Sequence, residues 1–171
     1  MLTDRALVHP TAIVHESAVI GADAQWRGRE TKYDVLICEG VTVGPLTQID
    51  AGCERYTAIR SNTQIMGHVH IGHGVRIGEN CDIASGTVIA GEVTIGNGVR
   101  IGVNATITPY KTIGDGARIG AGAVVITHIP AYECWAGNPA RFLYKLDPDT
   151  GAKLQEDIEM HMGFPWTGES N

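Results

Sequence analysis

The residues best suited to chemistry in this chain are histidines, of which it has seven. Three of them, His68, His70 and His73, lie close together and at first suggest a metal site. The alternation of side chains along a strand argues against that interpretation, because His70 is adjacent to Ile71 whereas His73 lies two residues beyond it, at a predicted corner. The three imidazoles are therefore not expected to converge on one metal ion. A single imidazole titrates near neutral pH and is suited to act as a general base.

These histidines belong to a stretch of the chain that repeats every six residues. From Ile71 to Ile119 every sixth residue is isoleucine, and Val125 takes the next place. The residue after each isoleucine in this run is glycine or alanine, with Thr108 as the exception. Neither a helix nor a flat strand has a period of six, whereas a hexapeptide period is typical of a parallel β-helix.

Three such six-residue sides are expected to form a triangular coil of 18 residues. On each side a branched residue points inward, a small residue passes the corner, and a glycine or asparagine supplies the positive φ that the corner requires. Residues 18 apart in the sequence then lie one above another, at the strand spacing of about 4.8 Å. Gly91 follows His73 by 18 residues, so the two are expected to stack at one corner.

The stretch from His70 to Gly91 resembles the active-site region of the hexapeptide-repeat acyltransferases. The resemblance is closest to the sugar N-acetyltransferases of the bacillosamine type and to the lipid A acyltransferases. The matching residues are Ile71-Gly-His73-Gly-Val-Arg-Ile77-Gly-Glu79 and a rung of small residues that ends in Ala90-Gly91. The resemblance covers about residues 9–142 and implies an all-β fold, a left-handed parallel β-helix in the form of a triangular prism. The handedness rests on the resemblance alone.

The resemblance places the family's general base on His73 and its oxyanion donor on the backbone N–H of Gly91. Such a pair suits acyl transfer, because an amine or hydroxyl must lose a proton as it attacks a thioester carbonyl. A fixed N–H lowers the barrier by roughly 3–4 kcal/mol. Bacillosamine-type enzymes carry an acidic residue directly after the base, where this chain has Gly74, and Glu92 follows Gly91 instead. The group that orients His73 is thus left open, with a neighbouring subunit as one candidate.

The resemblance also implies where the acyl donor, acetyl-CoA, would bind. In the family its pantetheine arm lies in a groove between subunits beside small residues, which indicates Asp82, Val103 and Ala121 as donor contacts. The 18-residue spacing places Asp82, Arg100 and Arg118 in one column. Because Asp82 can satisfy Arg100, Arg118 is left to bind an anion such as the coenzyme A diphosphate. Solvation of these side chains is the alternative.

Two further arginines are candidates for phosphate contacts. Arg141 ends the segment Ala136-Gly-Asn-Pro-Ala-Arg141, which resembles the exit from the last coil of acetyl-CoA-dependent members. Arg55 precedes His73 by 18 residues and therefore shares its corner column, where it could bind a phosphate of the acceptor. A cation at the rim of the coil is the alternative for Arg55. No metal site is expected.

Length and composition restrict the class of protein further. The 171 residues fit one β-helix domain over 1–142, with a loop near 22–34, and a short irregular or helical C-terminal extension over 143–171. A net charge of −6 without a basic face argues against a nucleic-acid partner, and no run of 18 apolar residues predicts a membrane span. The four scattered cysteines are expected to be reduced thiols of a cytoplasmic protein.

Three segments stay open at this stage. The 22–34 loop is either a solvated surface loop or a lip over a substrate groove, with cations that meet a phosphate. Before Cys53 two registers compete, one through Val35 and one through Ile37, whereas from Cys53 to Val125 the spacing is uninterrupted. After Val125 the periodicity stops, and Leu154–Met162 is a candidate for a short helix.

The favoured function is an acetyl-CoA-dependent acyltransferase that acetylates an amino sugar, probably one linked to a nucleotide. The resemblance implies a homotrimer with each site between two subunits, which fits an interface repeated around a closed ring. One alternative is a metalloenzyme similar to γ-class carbonic anhydrases, but its second motif histidine is replaced here by Gly78. The other is a non-catalytic hexapeptide-repeat assembly protein.

Overall fold

The computed structural model describes residues 1–24, 28 and 30–154. Its strands form three sheets, one along each side of a triangular coil. Sheet 1 contains β1 (Ala6–Val8), β4 (Val35–Ile37), β7 (Thr57–Ile59), β10 (Arg76–Ile77), β13 (Thr94–Ile95) and β16 (Thr112–Ile113). Sheet 2 contains β2 (Ile13–Val14), β5 (Thr42–Val43), β8 (Gln64–Ile65), β11 (Asp82–Ile83), β14 (Arg100–Ile101), β17 (Arg118–Ile119), β19 (Glu133–Ala136) and β20 (Arg141–Lys145). Sheet 3 contains β3 (Val19–Ala22), β6 (Gln48–Asp50), β9 (His70–Ile71), β12 (Val88–Ile89), β15 (Thr106–Ile107) and β18 (Val124–Val125).

The predicted 18-residue coil is confirmed by the strand register. In sheet 2, for example, Asp82 pairs with Arg100, and in sheet 3 Ile89 pairs with Ile107. The isoleucine of each strand points into the coil and is buried. Each fully buried isoleucine contributes roughly 1.5–3 kcal/mol relative to an exposed one, so the stacked columns supply the core.

The corners confirm the predicted backbone pattern as well. The third residue after each inward isoleucine has a positive φ, and in most repeats this residue is glycine or asparagine. Glu92 (φ 63°) and Tyr110 (φ 60°) are exceptions that stand directly above Gly74 (φ 66°) in one column. Large residues seldom adopt this conformation, and such positions cluster at functional sites. The column therefore marks one corner of the coil as unusual.

The structure decides between the two competing registers. Ile37 and Ile49 pair with Ile59 and Ile71, so the register through Ile37 continues the isoleucine columns. The offset of 22 residues arises because residues 51–56 form an extra turn. Cys53 lies in this turn, and the prediction of an unbroken period from Cys53 is therefore wrong: the period begins at Ile59.

The two insertions, 22–34 and 51–56, leave the coil at the same corner, between sheets 3 and 1. They contact each other: the Lys32 and Tyr33 amides donate to the Gly52 carbonyl at 2.9 and 3.0 Å, and the Gly52 amide donates to the Tyr33 carbonyl at 2.8 Å. The rings of Tyr33 and Tyr56 meet edge to face at 5.2 Å. His73 occupies this corner one coil further on, so the insertions stand next to it. Trp26, Arg27 and Arg29 of the predicted lip lie outside the described residues.

The C-terminal end of the coil is closed by a hairpin. β19 joins sheet 2 in parallel, and β20 pairs antiparallel with β19. Leu146 follows this hairpin and is buried. The predicted helix at Leu154–Met162 lies, apart from its first residue, outside the described residues. Within the described ranges, no helix has the length and apolar character needed to cross a membrane.

Candidate active site

A groove of about 430 Å³ opens along the corner between sheets 3 and 1. One wall is the outer face of sheet 3, and the other is the corner itself. The lining residues are Gln48, Asp50, His70, Gly72, His73, Val88, Ala90 and Gly91. The structure thus brings the predicted base and the predicted oxyanion glycine into one groove.

Glu92 orients His73. The Glu92 carboxylate lies 3.3 Å from His73 Nδ1, and the side chains are only 6% and 8% exposed. The backbone joins the same two residues, because the Glu92 amide donates to the His73 carbonyl at 2.9 Å. A carboxylate at Nδ1 favours the tautomer that carries its proton there, which leaves Nε2 with a lone pair. His73 is therefore held in the form that a general base requires.

Gly74 makes room for this arrangement. A Cβ at position 74 would lie 2.5 Å from Cδ and 2.8 Å from Oε2 of Glu92. The carboxylate thus fills the space that a side chain after the base would otherwise occupy. In this chain the acid comes from the residue one coil above Gly74 rather than from position 74. The sequence showed both residues, but only the stacking shows that one replaces the other.

Arg55 supports Glu92 from the side away from the groove. Its Nε lies 3.0 Å from Glu92 Oε2 and donates to the Gly74 carbonyl at 2.6 Å. Its terminal nitrogen donates to the Glu92 and Val93 carbonyls and to Thr94 Oγ1, at 2.9 to 3.2 Å. Removing one partner of such a buried pair leaves a charge without compensation. A contact between Arg55 and an acceptor phosphate stays a prediction.

Gly91 lies against the His73 ring. A Cβ at position 91 would overlap the imidazole, with its Cε1 at 2.6 Å and its Cδ2 at 2.9 Å. The Gly91 carbonyl accepts from the Tyr110 amide at 3.1 Å, whereas the Gly91 N–H donates to no group in the described part of the chain. An N–H without a protein acceptor beside a base is available to a ligand oxygen.

The predicted donor contacts lie elsewhere on the same chain. Asp82 and Arg118 are on the outer face of sheet 2, where Asp82 Oδ2 is 3.4 Å from Arg100 Nε and a groove of about 260 Å³ runs between the rungs. Val103 and Ala121 stand at the corner between sheets 2 and 3, and Arg141 begins β20. None of these five predicted contacts, Asp82, Val103, Arg118, Ala121 and Arg141, lines the groove of His73. One chain thus assembles the catalytic pair but does not bring the donor residues to it.

Asp50 is a groove residue that the sequence analysis did not select. Its side chain is 6% exposed, and Oδ1 accepts from Gln48 Nε2 at 2.7 Å. Burial raises the pKa of Asp50 above its ordinary 3.8, although the Gln48 hydrogen bond and the neighbouring His70 and His73 oppose the shift. Asp50 directly follows the inward Ile49, a place that is glycine or alanine in most later rungs, and this departure is the signal that identifies it.

Asp50→Asn is expected to change how stability depends on pH. Because the folded pKa of Asp50 is raised, the folded state holds more protons than the unfolded state between pH 3.8 and that pKa, so its contribution to stability falls as pH rises through this window. Urea unfolding of both proteins from pH 3.5 to 7 measures the difference. The variant should gain on the wild type as pH rises, and a gap that is constant with pH would contradict the assignment.

The metal alternative was also examined in the geometry. In the residues that the structure describes, no three His, Cys, Asp or Glu side chains are placed to hold a metal ion. His68 and His73 lie at different corners, in line with the sequence argument that the three neighbouring histidines do not converge.

Comparison with known proteins fits the repeat. Residues 56–91 match the bacterial transferase hexapeptide, described as six repeats. The chain is a hexapeptide-repeat protein. It is 37% identical over 148 residues to a UDP-3-O-acylglucosamine N-acyltransferase of a Caulobacter species, which covers 82% of this chain and 42% of the relative. The corresponding protein of Caulobacter vibrioides is 40% identical over the same shares. The hexapeptide-repeat protein thus spans less than half the length of these curated relatives.

Solved structures share the architecture. The hexapeptide-repeat protein superposes on a UDP-N-acetylglucosamine acyltransferase from Campylobacter jejuni with a TM-score of 0.71 and 18% identity, over 85% of this chain and 75% of that one. The Arabidopsis UDP-N-acetylglucosamine acyltransferase gives 0.69 and 19%, over 97% and 78%. This likeness shows the fold, a left-handed parallel β-helix, and confirms the predicted fold class.

Glu92→Gln tests the orienting contact of the hexapeptide-repeat protein. The amide still accepts from Nδ1, but it cannot stabilise the imidazolium that forms when His73 takes a proton, so we expect kcat to fall roughly 10²-fold with little change in KM. The matched control is Glu79→Gln, the same change on an exposed side chain at the next corner. Steady-state kinetics of both variants decide, and equal kcat values for the two would contradict a role for Glu92.

Proposed function

We propose that this protein transfers an acyl group from a thioester to the amine of an amino sugar linked to a nucleotide. The observation that carries the proposal is the groove in which the His73 ring lies against Gly91 while Glu92 holds Nδ1. The curated relatives are named as N-acyltransferases of UDP-3-O-acylglucosamine, which supports a nucleotide sugar as acceptor.

In the proposed reaction the amine nitrogen attacks the thioester carbonyl. A carbon–nitrogen bond forms, one N–H proton passes to His73 Nε2, and the Gly91 N–H stabilises the oxyanion. The intermediate then collapses, the carbon–sulfur bond breaks, and the imidazolium returns the proton to the leaving thiolate. Glu92 stabilises the imidazolium throughout. No side-chain nucleophile or metal ion takes part in these steps.

We propose acetyl-CoA as the donor, bound with the help of a second subunit. Asp82, Val103, Arg118, Ala121 and Arg141 are the proposed donor contacts, and they lie away from the groove of His73 on the same chain. A homotrimer resolves this separation, because each copy can then present its donor face to the catalytic corner of a neighbour.

The test is the release of free thiol from acetyl-CoA, and in parallel from an acyl-carrier-protein thioester, against a panel of nucleotide amino sugars. We expect thiol release that depends on the acceptor and yields an amide product identified by mass spectrometry. Release with the carrier-protein thioester alone would replace the proposed donor and keep the reaction class. No acceptor-dependent release from either donor would overturn the proposed function.

A further inference from the structure

The groove contains a second buried proton acceptor besides His73. Asp50 ends β6, and Ile49 before it pairs with Ile71, so Asp50 lies one coil below Gly72 and next to the corner of His73. In the coils above, this column continues with Gly72, Ala90 and Thr108, none of which is charged. A carboxylate has replaced a small residue on the rung directly below the base.

The partners of Asp50 occupy one of its oxygens and leave the other for a ligand. Oδ1 accepts from Gln48 Nε2 at 2.7 Å. Oδ2 lies 3.6 Å from His70 Nε2, which is longer than a hydrogen bond. Gln48, His70 and His73 all line the same groove as Asp50. The Gln48 hydrogen bond fixes the carboxylate, and its second oxygen is accessible at the place where an acceptor must bind.

The number of hydrogens on the nucleophile then distinguishes the two classes of acceptor. An amine that attacks a carbonyl carries two N–H groups, whereas a hydroxyl carries a single O–H. In the proposed reaction one hydrogen of either nucleophile goes to His73 Nε2. An amine has a second hydrogen for Asp50, but a hydroxyl has none and would bury the carboxylate oxygen without a donor. Sites that leave a buried polar group unpaired reject a ligand strongly.

We propose that Asp50 accepts the second N–H of an amine nucleophile and thereby selects amines over hydroxyls as acyl acceptors. This inference rests on the proposed function, because it concerns the acceptor side of the same groove. During transfer the proton accepted by His73 moves on to the leaving thiolate, and the hydrogen bonded to Asp50 stays on the amide nitrogen of the product. The carboxylate gains and loses no proton in the cycle. Asp50 is thus a specificity residue and not a second base.

The experiment compares UDP-glucosamine with UDP-glucose, two probes that carry an amine or a hydroxyl at the same carbon. Binding to the full-length chain is measured by calorimetry without donor, and turnover is measured with whichever thioester is active. We expect the wild type to prefer the amine. Asp50→Asn is expected to lower kcat/KM and affinity for the amine about 10- to 100-fold and to leave the hydroxyl probe unchanged. Asp23→Asn, the same change on a carboxylate that is 82% exposed, is the matched control.

The outcomes separate this inference from the proposed function. A merely structural Asp50 would lower binding of both probes equally, and an unchanged preference in Asp50→Asn would overturn the inference even if acyl transfer occurs. An Asp50-dependent preference in binding without turnover from any donor would keep the inference and overturn the proposed reaction. Equal affinity of the wild type for the two probes, together with equal turnover, would also overturn it.

Discussion

Replacing His73 with asparagine is expected to lower kcat by roughly 10²–10⁴-fold, because the variant has no group that can take the proton of the attacking nucleophile. Asparagine is smaller than histidine and remains polar, and position 73 has no special backbone conformation, so the coil should fold as before. The measurement is acyl transfer at saturating substrate, together with circular dichroism and the mass of the assembly in solution.

The matched control is His68→Asn. His68 is exposed, lies five residues before His73 at another corner, and has a positive φ that asparagine tolerates. This variant should keep the wild-type rate. Wild-type turnover by His73→Asn would reject the general base and with it the proposed mechanism. Loss of activity in both variants would indicate a general effect of replacing histidines in this coil.

Gly91→Ala is expected to produce the second large effect. The added methyl group would overlap the His73 ring, whose Cε1 and Cδ2 would lie 2.6 and 2.9 Å away, so the ring must turn or shift. A displacement of about 1 Å from the reacting geometry costs roughly 10²-fold in rate. Overpacking at a buried site also destabilises a protein by about 1–3 kcal/mol. We therefore expect both kcat and the free energy of unfolding to fall.

A double-mutant cycle isolates this contact. In a His73→Ala background the ring is absent, so adding Gly91→Ala should cost little further stability, and the two effects should be strongly non-additive. Urea unfolding of the four proteins gives the coupling energy. Additive losses would mean that the alanine acts through the backbone and would contradict the contact between Gly91 and the imidazole.

The coil itself could be predicted because its rule is local. One inward isoleucine, a small corner residue and a positive φ recur at a fixed interval, and that interval alone fixes which residues stack. His73 and Gly91 were placed together by this rule, and so were Asp82 and Arg100, which form an ion pair at 3.4 Å. The rule failed where the interval changes. The extra turn at 51–56 preserves apparent spacing at Cys53 while shifting the true register to Ile59.

The contents of the active-site corner required coordinates, because they depend on how long side chains cross from one coil to another. Arg55 spans from its own turn to Glu92 and Thr94, and Glu92 fills the space that Gly74 leaves empty. Stacking arithmetic gives the height of a residue in the prism but not the direction in which a flexible side chain points. For the same reason Asp50 escaped notice, since the shifted register hid its place below the base.

The sequence by itself therefore determined the prism, its columns and the corner that holds His73, because a six-residue period with branched residues inside allows only one way to close the core. Only the tertiary structure decided that Glu92 and Arg55 hold the imidazole and that Asp50 faces the same groove. Those contacts join residues from different coils through side chains of three or more bonds, or depend on an insertion that changes the register, and neither is written in the period.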